Sequence, residues 1–187
     1  MGRSVDRAVR ALQGGGLVVF PTDTLFGLGA RAGDPAAVGR LGQLKQRPGD
    51  RRLSAAVSSF EELEALGRFS PSARRWVRRH LPGPYTVLVR PTRAGRRRLS
   101  PSVGGGSAIG LRLPDHPVAR ELARRVGPIV ATSANRHGSP PATSVRAARR
   151  AFGRSVAVYL SDGPAPSGNP SGLIDLTGVV ARRRPRP

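Results

Sequence analysis

Apolar positions recur along this chain with two periods, one helical and one strand-like. Across residues 4–13, Val5, Val9 and Leu12 fall at helical spacing, and Gly14-Gly15-Gly16 ends the stretch. Residues 17–20 (LVVF) form a short apolar run that predicts a buried strand, which leads directly into the polar loop Pro21-Thr22-Asp23-Thr24. Residues 25–29 (LFGLG) read as a segment whose glycines let the backbone pass close to something. Asp34-Pro35 predicts a capped helix through Val38, Leu41 and Leu44, with Lys45 at its end and a loop over 46–52. A strand is expected over 53–57. Helices are expected after Ser59, whose capping-box partner would be Glu62, and from Ser70-Pro71 through Trp76 and Val77 to Leu81.

Pro82-Gly83-Pro84 predicts a rigid turn before a strand at 85–89. The Arg/Gly/Ser-rich residues 91–107 read as a mobile loop. Further strands are expected at 109–113, 128–131 (PIVA), 156–160 and 173–176, and helices at 117–126 and from Thr143/Ser144 to Phe152. The PIVA run feeds a second polar loop, Thr132-Ser133-Ala134-Asn135. Helices and strands interleave throughout, which argues for one α/β domain over 1–180. Residues 181–187 (ARRRPRP) read as a disordered basic tail.

Composition narrows the chemistry. The 187 residues contain no Cys, which excludes disulfides and thiolate metal sites, and three scattered His argue against a histidine-based metal centre. The N-terminus lacks the apolar core of a secretory signal, and no apolar run approaches the ~20 residues of a membrane span, so a cytoplasmic protein is expected. Net charge is +21, which attracts polyanions such as nucleotides or RNA. Aromatic residues make up only 4 %, so stacking platforms for single-stranded RNA are scarce and phosphate binding fits better than base reading. Lys45 is the only lysine among 32 basic residues. Lysine is a compact point charge where arginine is a planar fork, so a lone lysine in an arginine-biased chain marks a candidate contact to a phosphate or substrate oxygen.

Four polar clusters interrupt the scaffold: PTDT at 21–24, KQR at 45–47, PGPYT at 82–86 and TSAN at 132–135. Two follow buried strands, at the strand ends where open α/β sheets bind ligands. The clusters are rich in hydroxyl, amide and cation and poor in carboxylate, which suits an anionic ligand. Neither GxxxxGK[ST] nor a strand-linked GxGxxG is present. His137, four residues after Ser133, is the one candidate base for a serine hydrolase, and a solvated loop histidine is the simpler reading.

PTDT-LFGLGA, K-x-R, PGPYT, LRLPDHP, TSAN and PSGLID, in this order and spacing, resemble the YrdC/Sua5/TsaC family of threonylcarbamoyl-AMP synthases. The resemblance runs from about Ala11 to Asp175 and is closest to the short TsaC-like form. It implies a YrdC-like fold, a twisted mixed β-sheet with flanking helices and a basic concave face. It also implies synthesis of threonylcarbamoyl-AMP and diphosphate from L-threonine, bicarbonate or CO2, and ATP carrying Mg2+, for tRNA t6A37 modification. Residue by residue, Lys45 and Arg47 would neutralise phosphate oxygens as the catalytic pair. Thr86, Ser133, Asn135 and Ser171 would complete the ATP site, and Thr24 and Arg112 would hold threonine, with no protein metal site. Among simpler readings, Thr24 caps the following segment, Arg112 pairs with Asp115, Asn135 holds a left-handed turn, and Asp23 makes a local Asx-turn.

The chain departs from the family pattern at Phe26 (commonly Tyr), Arg51-Arg52 (commonly a Pro before Leu53), Gly172 (commonly Thr), His137 (commonly small) and Arg182 to Arg184, a loose echo of Arg-x-Gly. Expected partners beyond the substrates are tRNA or double-stranded RNA and the t6A transferase machinery. Two other classes compete: an RNA- or ribosome-binding module without ATP chemistry, and a carbamoyl-adenylate-forming relative.

Overall fold

The computed structural model describes residues 2–46, 53–178 and 182–184. Arg47, Arg51 and Arg52 lie outside the described residues. Helix α1 (Gly2–Gln13) buries Val5, Val9 and Leu12, the residues whose spacing predicts it. Strands β1 (Val18–Pro21) and β2 (Phe26–Arg31) then form an antiparallel hairpin across the PTDT loop. Helix α2 (Pro35–Lys45) starts on Asp34, whose carboxylate accepts the Ala37 N–H at 3.0 Å, and stops at Gln46, whose φ of 53° turns the chain left-handed. Strand β3 (Ser54–Ala56), helix α3 (Phe60–Leu66), the short strand β4 (Gly67–Arg68) and helix α4 (Pro71–His80) follow. Ser59 and Ser70 cap the two helices. Glu62 reaches back to the N–H and hydroxyl of Ser58, both at 2.9 Å, one residue earlier than the expected capping box.

Strand β5 (Tyr85–Pro91) continues past its expected end at residue 89. The expected loop over 91–107 is instead largely helical. Thr92 caps α5 (Arg93–Arg98), and α6 (Pro101–Gly104) follows. Gly95 is the residue that makes this turn fit, because a Cβ there would lie 2.2 Å from the Leu66 carbonyl oxygen. Strand β6 (Ile109–Arg112), helix α7 (Pro117–Val126), strand β7 (Ile129–Ser133), helix α8 (Val145–Phe152), and strands β8 (Val158–Tyr159) and β9 (Gly172–Asp175) complete the expected series. Strand β10 (Arg182–Arg184), within the segment expected as a tail, pairs antiparallel with Leu173 to Asp175; residues 181 and 185–187 lie outside the described residues.

Ten strands among the described residues form one mixed sheet in the order β10-β9-β5-β6-β3-β7-β2-β1-β8, with β4 on β5. Strand β2, unread as a strand in the sequence, is central. Its glycines sit under the ring of Phe20, because Phe20 is the cross-strand partner of Gly27 and a Cβ on Gly29 would meet the ring at 2.6 Å. The alternation of side chains across strands sets the two faces apart. One face carries Leu28, Ala55, Val87, Leu111 and Val130 into the larger core cluster. On the other, Val18, Phe20 and Ile129 pack with α1 and α7 residues at one end of the sheet. The remainder of that second face, over β7, β3, β6, β5 and β9, forms the floor of a cleft.

Candidate active site

The cleft floor is made of small side chains at alternating positions: Ser54 and Ala56 on β3, Gly110 on β6 and Ala131 on β7. A Cβ on Gly110 would come within 3.0 Å of the Ser54 Cβ. Small residues on one face and large ones on the other leave a cleft of about 910 Å3.

Among the described residues three loops wall it. In the first, PTDT, Thr22 is the organiser. Its hydroxyl donates to the Leu25 carbonyl at 2.7 Å and accepts the backbone N–H groups of Thr24 and Leu25, each at 3.2 Å. Thr24 is buried, its hydroxyl 3.0 Å from that of Thr22. The second wall is the loop 161–172, which folds onto the first: Gly168 N–H donates to the Thr24 carbonyl at 2.8 Å. It brings Ser171 to the cleft, where the hydroxyls of Ser171 and Thr86 lie 3.1 Å apart and buried. A buried His116 ring lies 3.1 Å from the Pro164 carbonyl and underpins the same loop.

The third wall is the TSAN loop, and Lys45 is bound into it. Lys45 is 5 % exposed, and its ammonium donates to the carbonyls of Ser133 (2.6 Å) and Asn135 (2.8 Å) and to Asn135 Oδ1 (3.2 Å). The Lys45 carbonyl accepts the His137 N–H at 2.9 Å. The Asn135 amide in turn donates to the carbonyls of Ser139 (2.5 Å) and Arg136 (3.1 Å). Asn135 is thus a loop tie; its backbone is not left-handed. Ser133 and His137 share no hydrogen bond among the described residues, which leaves the hydrolase reading without its nucleophile–base contact.

Arg112 lies across the floor, 8 % exposed. Its guanidinium donates to Asp23 Oδ1 at 2.6 Å, and both side chains are mostly buried. Asp115 is not the partner, and Asp23 is not a local turn residue. A loop carboxylate that could reach 89 positions along the chain gave no signal in the sequence, where proximity favoured Asp115. Asp23 Oδ2 is buried without a hydrogen bond among the described residues, an open acceptor.

Thr24, Lys45, Thr86, Arg112, Ser133, Asn135 and Ser171 therefore line one cleft. Of the departures, Phe26 and His137 line it too, and Gly172 has a steric reason: a Cβ there would fall 2.9 Å from the Tyr85 ring. Among the described residues no group of three or more His, Cys, Asp or Glu side chains gathers to hold a metal.

Fold and cleft together define a mixed α/β domain with a cleft of hydroxyl, amide and cationic side chains on one sheet face. The Sua5/YciO/YrdC family model, described as telomere recombination, matches residues 10–184, and the chain belongs to that family. A Mycobacterium tuberculosis (strain H37Rv) protein is 40 % identical over 187 residues, 99 % of this chain and 85 % of its own. The Chromohalobacter salexigens threonylcarbamoyl-AMP synthase is 37 % identical over 180 residues, 95 % of each chain. The crystal structure of Pyrococcus abyssi Sua5 complexed with L-threonine superposes with a TM-score of 0.86 at 33 % identity, over 96 % of this chain and 52 % of that one.

Proposed function

We propose that this chain is a threonylcarbamoyl-AMP synthase. L-Threonine and bicarbonate or CO2 give N-carboxythreonine, whose carboxylate oxygen attacks the α-phosphorus of ATP as the bond to diphosphate breaks. The observation that carries this reading is one cleft with a carboxylate-reading guanidinium, Arg112, on its floor and the Lys45–TSAN cluster in its wall. Such a displacement requires positioning and charge neutralisation more than covalent help. Arg112, held by Asp23, takes the threonine carboxylate beside Thr24. Asp23 Oδ2 offers an acceptor for the amino-acid nitrogen. Ser133, Asn135, Thr86 and Ser171 surround the nucleotide phosphates with hydroxyl and amide groups.

Lys45 acts in two ways. It fixes the TSAN loop through two carbonyls, and a phosphate oxygen replaces the 3.2 Å contact to Asn135 Oδ1. Arg47, which follows the left-handed turn at Gln46, joins it on the phosphates. Mg2+ arrives on ATP as part of the substrate.

Protein incubated with MgATP, L-threonine and bicarbonate should release diphosphate only when threonine is present. Threonine-independent release, or none, refutes the proposal. Release with carbamoyl phosphate in place of threonine would assign the chain to carbamoyl-adenylate chemistry instead. The same reading places the chain in the cytoplasm, upstream of a t6A transferase and near tRNA. No helix of the described residues is long and apolar enough to cross a membrane.

A further inference from the structure

The concave face does not end with the cleft described above. On β5, Thr86 and Leu88 line that cleft, and Arg90, the next residue on the same face, lines a second one. On β9 the same step leads from Leu173 to Asp175. Successive same-face positions on a strand lie about 6.6 Å apart, so the two clefts are neighbours along the same strands. Ser107 and Ala108 line both. The second cleft has a volume of about 700 Å3 and is walled by Arg68, Arg90, Arg93 and Arg96. Among the described residues Asp175 is the only carboxylate in its lining, and no aromatic ring lines it.

What sets these arginines apart is that four of them line one cleft, whereas the arginines with a carboxylate partner among the described residues lie elsewhere. Arg74 and Arg78 pair with Glu64, Arg98 with Glu62, Arg112 with Asp23, Arg124 with Glu121 and Arg125 with Asp6. Among the described residues none of Arg68, Arg90, Arg93 and Arg96 has a carboxylate within 4.0 Å; Arg96 donates only to the Gly106 carbonyl, at 3.3 Å. Four arginines lining one cleft repel one another, and no described residue supplies a counter-charge to them at salt-bridge distance. An external anion carrying several charges at close spacing relieves that repulsion, and arginine forks match phosphate oxygens in pairs. The absence of a ring argues against bases.

We propose that this second cleft binds an oligophosphate, and that its natural occupant is the diphosphate set free in the adjoining cleft. The choice of occupant rests on the proposed synthase reaction; the existence of the site does not. Equilibrium dialysis with labelled inorganic diphosphate, in the absence of ATP and threonine, tests it directly. Wild-type protein should bind two diphosphates per chain. The double variant Arg90→Gln/Arg93→Gln should bind one, with the second site weakened at least about tenfold. Lys45→Ala should leave the arginine-dependent site intact.

Should the double variant fail to fold, as read by circular dichroism, Arg68→Gln and Arg93→Gln singly should each weaken the same site. A single diphosphate site that ignores all these arginines overturns the proposal. So does arginine-dependent binding of a 16-base-pair RNA duplex with no arginine-dependent binding of diphosphate. If diphosphate binds as stated but threonine-dependent release never occurs, the site stands and the synthase reading falls.

Discussion

At the scale of the residue, the position of Lys45 explains why lysine survives in a chain that otherwise uses arginine. Its ammonium meets two carbonyls and an amide oxygen between 2.6 and 3.2 Å around one point, inside a wall where the residue is 5 % exposed. A planar guanidinium on a longer stem cannot reproduce that arrangement. Both Lys45→Ala and Lys45→Arg should therefore lower kcat by about 100-fold or more while circular dichroism remains native, in the range seen when one buried donor is removed from a reaction site. Near-normal turnover in Lys45→Arg would show that charge alone suffices. Asp23 makes a sharper case, since its pairing with Arg112 spans 89 positions and was illegible in the sequence. Asp23→Asn keeps the shape and removes the charge that holds Arg112. It should raise the KM for threonine about tenfold with the KM for ATP nearly unchanged, and cost about 2–4 kcal/mol in urea unfolding. An equal rise in both KM values would point to general collapse of the cleft.

At the scale of the element, what was legible followed period and punctuation. Helices α1, α2, α4, α7 and α8 announce themselves through apolar spacing and through Asp34, Ser70 and Ser144 at their starts. Strand β2 did not, because FGLGAR carries two glycines, which depress strand propensity unless something fills the space above them. The Phe20 ring fills it, and that relation exists only after β1 and β2 pair. Gly29→Ala puts a methyl group 2.6 Å from the ring and 3.0 Å from the Val130 carbonyl. Chemical denaturation should show a loss of about 1–3 kcal/mol, and Phe20→Leu should recover part of it in the double variant. Additive losses would mean that the ring is not what the glycine accommodates. The helices over 93–104 were hidden for a related reason: arginines and glycines carry little periodicity, and Gly95 is placed by its approach to Leu66 rather than by any local preference.

At the scale of the molecule, the six motifs in order made the family legible, and the alternation of small residues with large ones built a cleft that no single motif describes. What the sequence left unresolved is how the excess charge is arranged. The chain carries +21, yet only six ion pairs form among the described residues, and only Arg112–Asp23 is mostly buried on both sides. Exposed pairs contribute little, about 0–1 kcal/mol each, while self-repulsion of the excess charge opposes the compact state. Added salt weakens both, but repulsion among many like charges acts over longer distances than a pair in contact and is screened first. Raising NaCl from 0.1 to 1 M shortens the screening length from about 10 to about 3 Å. The melting temperature should therefore rise by at least about 2 °C, since one kcal/mol corresponds to roughly 2–4 °C in a domain of this size. Scanning calorimetry at fixed pH measures it. A fall in melting temperature would mean that the ion pairs outweigh the repulsion, and that the arginine excess is balanced within the fold rather than held open for anions.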